Sequence, residues 1–288
     1  MRLTSLLHDP PPALAFEVSE AGVAAARLRP KREIAFYPLK PGVISASPLQ
    51  DNVLSAEELA AAVRALAGPN GTRKRRDAAL IIPDYATRMA VLDFDEFPSD
   101  RGEQLSLVRF RMKKTVPFDI ESAAVSYWAQ PAGGKKHDVL VTVSPIEIVS
   151  RYEAPFLAAG LNPGLVTTSA LAFLDLVDER GLAVAAKVSG KALTVLVLDK
   201  GRVRMVRCLE PGPDLGAELF PTLVYIEDQF GAKAEKLLIA GFGDRTEAVR
   251  AQLGGDLGIA VEPVRTAHGL AGENDAGLRG YLRSVAAE

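Results

Sequence analysis

The sequence predicts an α/β fold in which one arrangement of strands and helices occurs twice, and three observations carry that reading. Apolar runs of six or seven residues, separated by turn residues, come in threes at the start of each half. Each trio is followed by helical stretches that alternate with short strands. The first half is longer than the second by a block with its own strands and helices, which reads as an insertion.

The first trio is Ala13 to Val18, Gly22 to Leu28 and Glu33 to Leu39, with Ser19, Glu20, Pro30 and Lys31 between its members. Ser55-Ala56-Glu57-Glu58 is a capping box: the serine hydroxyl accepts from the third helical amide and Glu58 reaches back. Leu59, Ala62, Val63 and Leu66 share one face of the helix so begun, and Gly68-Pro69 ends it. Ala78 to Ile82 is a buried strand stopped by Pro83, and the same half closes with a strand at Gly164 to Thr167 and a helix at Ser169 to Val177.

The second trio is Ala183 to Val188, Leu193 to Leu198 and Val203 to Cys208, with a hairpin turn at Asp199-Lys200-Gly201-Arg202. A helix over Asp214 to Phe230, a strand at Lys236 to Ala240, a helix over Arg245 to Leu253, a strand at Ile259 to Glu262 and a last helix ending near Val285 complete it. The extra block holds a strand at Met89 to Phe94, a helix from about Ser99 to Lys114, strands at Ala123 to Ala129 and Asp138 to Val143, and a helix over Pro145 to Ala159. The expected units are therefore residues 1–83 with 161–180, an inserted unit at 84–160, and a shortened second unit at 181–288.

Composition narrows the function classes. With 48% hydrophobic and 24% charged residues the 288-residue chain has the makeup of a globular protein. Its net charge of −2 provides no overall field for nucleic acid or an acidic membrane. Cys208 stands alone, and His8, His137 and His268 are far apart, so no metal-ligand spacing exists and a reducing, cytoplasmic setting is expected. The uncharged stretch Ala154 to Leu174 is broken by Gly160-Leu161-Asn162-Pro163-Gly164, and Pro10 to Pro12 cut short any leader.

Several charged and nucleophilic features have plain readings. Arg73-Lys74-Arg75-Arg76 lacks interleaved aromatics and reads as a solvated loop. Glu227 and Asp228, adjacent on a helix, point about 100° apart and do not form a catalytic pair. Ser106, Ser126 and Ser189 have no identifiable histidine and acid beside them, so no catalytic residue is assigned.

Two segments carry a resemblance to a known family. Leu92-Asp93-Phe94-Asp95-Glu96-Phe97-Pro98 leads into a helix, and Arg111-Met112-Lys113-Lys114-Thr115-Val116-Pro117-Phe118-Asp119-Ile120-Glu121-Ser122-Ala123 follows. This strand, helix and basic-x-x-Pro-aromatic-x-x-acidic pattern resembles the PilM family, cytoplasmic proteins of type IV pilus assembly in the actin-like ATPase superfamily. The resemblance implies a duplicated actin-like (ribonuclease H-like) fold with a small α/β subdomain inserted in the first half and a reduced second lobe. It also implies a partner, the short cytoplasmic N-terminal tail of a PilN-like membrane protein. That tail would hold the chain peripheral to the inner membrane. Phe110, Arg111, Lys113, Lys114, Pro117 and Phe118 are the candidate partner-binding residues.

The resemblance further implies two phosphate hairpins, and there the chain departs from the pattern. The first hairpin reads Glu17-Val18-Ser19-Glu20, with Ser19 at the close-approach glycine and Glu20 facing the phosphate seat. In the second, Lys187-Val188-Ser189 stands where Asp-x-Gly is usual, followed by Gly190 and Lys191. A cation replaces a magnesium ligand. Gly241 and Gly243 flank Phe242 at the position of the adenine-site glycines. Only Leu209 to Pro213 remain where further helices usually close over the nucleotide. A degenerate site follows, with Glu17, Ser19, Lys187, Ser189, Gly190, Lys191, Gly241 and Gly243 as its remnants. No cofactor or metal is expected; weak ATP binding stays open. The expectation is a scaffold and not an enzyme. The alternatives are a nucleotide-using actin-fold ATPase or kinase, or the cytoplasmic actin-like domain of a type II secretion platform. Self-association also stays open.

Overall fold

Alternation decides how the first strands are used. In β1 (Leu14–Val18), Leu14, Phe16 and Val18 face one side and Ala15 the other, and all five residues are buried. The computed structural model describes residues 11–28, 33–69, 74–266 and 269–286. His8, the turn residues Pro30 and Lys31, Arg73 and His268 lie outside them.

β1 pairs antiparallel with β2 (Gly22–Arg27), which pairs antiparallel with β3 (Ile34–Pro38). β4 (Arg76–Ile82) lies parallel to β1. The first sheet ends with β8 (Leu161–Thr168), giving the order β3-β2-β1-β4-β8. α1 (Ala56–Ala67) starts as its capping box predicts, with the Ser55 hydroxyl accepting from the Glu58 amide. Arg76 closes its other end by donating to the carbonyls of Ala67 and Gly68.

The second half repeats this order. β9 (Ala183–Ser189), β10 (Ala192–Asp199), β11 (Arg202–Leu209), β12 (Lys236–Ala240) and β13 (Ala260–Pro263) form a sheet ordered β11-β10-β9-β12-β13. Lys200 takes a left-handed φ of 53° in the β10–β11 turn, as the hairpin reading requires. α5 (Leu215–Phe230) and α6 (Thr246–Leu257) cover the outer face of this sheet.

Inserted between β4 and β8 is a three-stranded antiparallel sheet, β5 (Arg88–Phe94), β7 (Lys136–Pro145) and β6 (Ala123–Gly133) in that order. α2 (Arg101–Met112) packs on one face of it through Val108 and Met112. Arg109 fastens that helix by donating to the carbonyls of Ile120 and Ala123. The other face, with Met89, Val91, Trp128 and Leu140, turns toward β11. There the Gln130 amide group mimics a strand neighbour, accepting from Val203 N at 2.8 Å and donating to Val203 O at 3.0 Å.

Two helices pack away from the block in which the sequence reading placed them. α3 (Ile146–Ala158) puts Ile148, Tyr152 and Phe156 into the core of the first half, with Phe156 edge-on to Phe16 at 5.2 Å. The last helix, α7 (Ala276–Ala286), lies with α4 (Ser169–Phe173) between the two sheets. The first sheet meets them with Ala15, Ala24, Ala26 and Ala79, small side chains that let helix backbones come close. Added methyl groups at Gly277 and Gly280 would lie 2.8 Å from Ser169 Cα and 1.9 Å from Ala172 O. Each helix carries an apolar stripe, and periodicity shows that a stripe is apolar without showing which sheet it meets. The tight α4–α7 contact predicts that Gly280→Ala lowers stability by about 3 kcal/mol or more, since neither backbone can yield; urea denaturation measures it.

Candidate functional site

Two depressions result from this arrangement. One is the cleft where the β1–β2 and β9–β10 turns face each other. Asp84 and Lys187 meet at its base. Asp84 follows Pro83 just past the end of β4, and the lysine ammonium lies 2.9 Å from Asp84 Oδ2, both side chains wholly shielded from solvent. Asp84 Oδ1 accepts from the Ala170 amide at 2.6 Å and Oδ2 from the Thr194 hydroxyl at 2.7 Å. One carboxylate thus ties β4, α4, β9 and β10 together. Lys187 is held inside the protein and does not face the cleft.

Glu17 is equally enclosed. Its Oε1 accepts from the Ser169 hydroxyl and its Oε2 from the Leu278 amide at 2.7 Å. Burial pushes its carboxyl up to about 7, against the pull of Lys187, the Ser169 hydroxyl and the Leu278 amide. Above them, Ser19 Oγ accepts from the Gly22 amide at 3.2 Å and donates to Asn274 Oδ1 at 3.0 Å. Glu20 Oε1 accepts from the Ala46 amide at 3.2 Å and Oε2 from the Lys191 amide at 3.1 Å. Ser189 and Lys191 line what remains, a cavity of 110 Å³ that Glu20 and Glu210 share. The structure therefore brings Glu17, Ser19, Lys187, Ser189, Gly190 and Lys191 to one place.

Gly241 and Gly243 lie in the turn after β12. A side chain on Gly241 (φ 85°) would strike Val188 O, so this glycine serves close backbone packing. A methyl on Gly243 would come within 3.0 Å of the Glu273 side chain, which covers that turn. Phe242 points away, into the core beneath α5 and α6. Ligand pockets for drug-sized molecules occupy roughly 300 to 1,000 Å³. These residues do not fit a nucleoside triphosphate with its metal: the space is too small, the amides facing it are taken, and the central cation is paired internally. Among the described residues no group of three or more His, Cys, Asp or Glu side chains is placed to hold a metal ion. Cys208, half-buried beside Thr194, has its thiol pushed up to about 12 by burial, which disfavours the nucleophilic thiolate.

The second depression is a groove between the inserted sheet and the first half. Its volume is 340 Å³, and Ala124, Ser126, Thr142 and Ser144 face Leu165 and Val166 across it. Small residues on β6 and β7 leave the space open. β8 pairs only with β4 and β6 only with β7 among the described strands, so two open sheet edges flank the groove. Beyond Trp128, Leu140 and Leu171 it adjoins a larger cavity of 670 Å³, bounded by Leu174 to Arg180 and the β10–β11 turn. Burial pushes the Asp175 carboxyl in that cavity up to about 6.

The six partner-binding candidates lie on the opposite face of the inserted sheet from this groove. Phe110 is 64% exposed on α2, and Arg111 stacks over Phe94 at 5.1 Å. Lys113, Lys114 and Pro117 are exposed, while Phe118 packs partly against the inserted core. Sequence reasoning passed over Asp84, and of the small groove residues it considered only Ser126, as a nucleophile without partners. A carboxylate at the end of a buried strand was the available signal for Asp84; small residues on β6 and β7 carry none.

Two five-stranded sheets of identical order, facing each other turn to turn across a cleft, define the actin-like ATPase fold, and this chain has it. No family model and no curated protein matches its sequence. Among solved structures it is similar to a chain of a PilM–PilN type IV pilus biogenesis complex, with a TM-score of 0.79 and 18% identity over 96% of this chain and 99% of that one. A Bacteroides thetaiotaomicron protein with an actin-like ATPase fold follows at TM-score 0.54 and 12% identity, covering 93% of this chain and 94% of that one. The cytoplasmic domain of EpsL, an inner-membrane component of the Vibrio cholerae type II secretion system, reaches TM-score 0.48 at 14% identity, covering 78% and 80%. No described helix is long and apolar enough to cross a membrane.

Breaking the central pair leaves a buried charge uncompensated, so Asp84→Asn and Lys187→Met each cost about 3 to 5 kcal/mol. The double variant loses less than the sum in urea denaturation. Glutamate titrates near 4.5 when unfolded and Glu17 near 7 when folded, so the native state holds the extra proton between these values. Stability therefore falls as pH rises from about 4.5 to about 7, by on the order of 3 kcal/mol, and this contribution is flat above. Glu17→Gln removes that slope, which unfolding at a series of pH values checks.

Proposed function

We propose that the chain is a cytoplasmic actin-fold scaffold of the type IV pilus inner-membrane platform. In this reading it holds the N-terminal tail of a PilN-like membrane protein and does not hydrolyse ATP. One observation carries the proposal: the groove between two unpaired strand edges, on a fold similar to that in the PilM–PilN complex. An extended peptide entering it can add to the edge of β6 or β8, with backbone hydrogen bonds giving affinity. Ala124, Ser126, Thr142 and Ser144 admit side chains, and Leu165 and Val166 supply an apolar wall. The partner then anchors the scaffold at the membrane. Absence of hydrolysis is supported by the paired Lys187 and the filled cleft, which offer neither a metal ligand nor room for a substrate.

The test is calorimetric titration of the full chain with a synthetic N-terminal tail of the PilN-like protein from the same organism. Saturable micromolar binding is expected. Ser126→Trp, which fills the groove from an exposed strand position, weakens it at least about 30-fold, or about 2 kcal/mol. Phe110→Ala and Phe118→Ala, folded, change it less than threefold. Loss in those two variants with Ser126→Trp unaffected moves the peptide to the α2 face; no binding by the unmodified protein overturns the reading.

A further inference from the structure

We infer that Glu20 is a built-in anion: its carboxylate fills a seat for a small oxyanion between the two hairpin turns and so holds the halves of the molecule together without a ligand. This goes beyond the scaffold reading and does not depend on which partner binds the groove.

The geometry begins with the two amides. Ala46 lies in the loop between β3 and α1, and Lys191 in the two-residue turn between β9 and β10. Neither residue belongs to a strand or helix, and both amides point at one carboxylate, at 3.2 and 3.1 Å. One amide belongs to the first half and the other to the second, so the side chain bridges the cleft. Charge-assisted hydrogen bonds of this kind are about twice as strong as neutral ones. Gly190, at φ 57°, lies directly beneath: a methyl there would come within 3.2 Å of Glu20 Oε2. The turn is shaped to take an oxygen at close range.

The remainder of the seat suits a tetrahedral oxyanion. Ser45 and Ser189 supply hydroxyl groups, and Lys191 a flexible ammonium at the rim. Glu210 is the one other acid along the lining and opposes an added anion. With the Glu20 side chain present the seat is satisfied. Without it, two amides lose their acceptor in a space that the Ser45 and Ser189 hydroxyls also line, and inorganic phosphate is the simplest species that answers all of them.

The experiment compares the full-length unmodified protein with Glu20→Ala and Glu20→Gln, using inorganic phosphate as the probe and sodium chloride at matched ionic strength as the control. Glu20→Ala is expected to melt about 3 to 6 °C lower than the unmodified protein. Millimolar phosphate recovers at least half of that difference and gives saturable heat on titration. The unmodified protein and Glu20→Gln, whose seat stays filled, do not respond to phosphate. An equal phosphate response in all three, or none in Glu20→Ala, overturns the inference. Should Glu20→Ala not fold, amide exchange decides. The Ala46 and Lys191 amides of the unmodified protein exchange at least tenfold more slowly than that of Gly201, which occupies the other hairpin turn. Exchange at the same rate as Gly201 overturns the inference without any variant.

Discussion

A lysine ammonium with no solvent contact persists only where an opposite charge stands against it, and the Asp84–Lys187 pair satisfies that demand at the centre of this molecule. The arrangement around it follows. Asp84 is fixed by the end of β4; its Oδ1 then fixes α4 through the Ala170 amide and its Oδ2 fixes β10 through the Thr194 hydroxyl. Because each group comes from a different element, the two halves have one relative position in which all are satisfied. The separation of β8 from the inserted sheet is set by the same geometry, since that sheet rests on β11 through Gln130 and the Asp138–Arg202 ion pair at 2.8 Å. The residues on either side of Asp84 and of Ala170, namely Ile82, Thr87, Thr168 and Leu171, line the groove, so the pair lies behind its wall.

The acidic and hydroxyl side chains of the first hairpin have partners within the chain: Glu17 with Ser169 and Leu278, Ser19 with Asn274, Glu20 with Ala46 and Lys191. These contacts join the first hairpin to α7, to the β3–α1 loop and to the second hairpin.

The fold was largely legible in the sequence. Apolar trios and a capping serine state strands and a helix start directly, because both depend on neighbours along the chain. The resemblance in the Leu92 to Ala123 segment then supplied the superfamily, which periodicity alone does not contain. The candidate site was legible in part. Lys187 and Glu20 were visible as departures from a hairpin pattern, but Asp84 was not, because a partner distant in sequence is announced by nothing nearby. The packing of α3 and α7 was hidden for a related reason: an apolar stripe demands cover without naming what provides it.

The position of α7 bears on how the chain matures on the ribosome. The alanine-rich face of the first sheet, most of which is in place by Ala79 and Ile81, meets Ala172 from α4 and is fully covered when Leu278, Tyr281 and Leu282 arrive. Glu17, in the first strand, likewise waits for the Leu278 amide. At elongation rates of about 5 to 20 residues per second, that face stays uncovered for on the order of ten seconds or longer. Nascent chains of this protein therefore expose a sheet surface throughout most of their synthesis, and holdase chaperones acting on emerging polypeptides have a defined target in its first hundred residues.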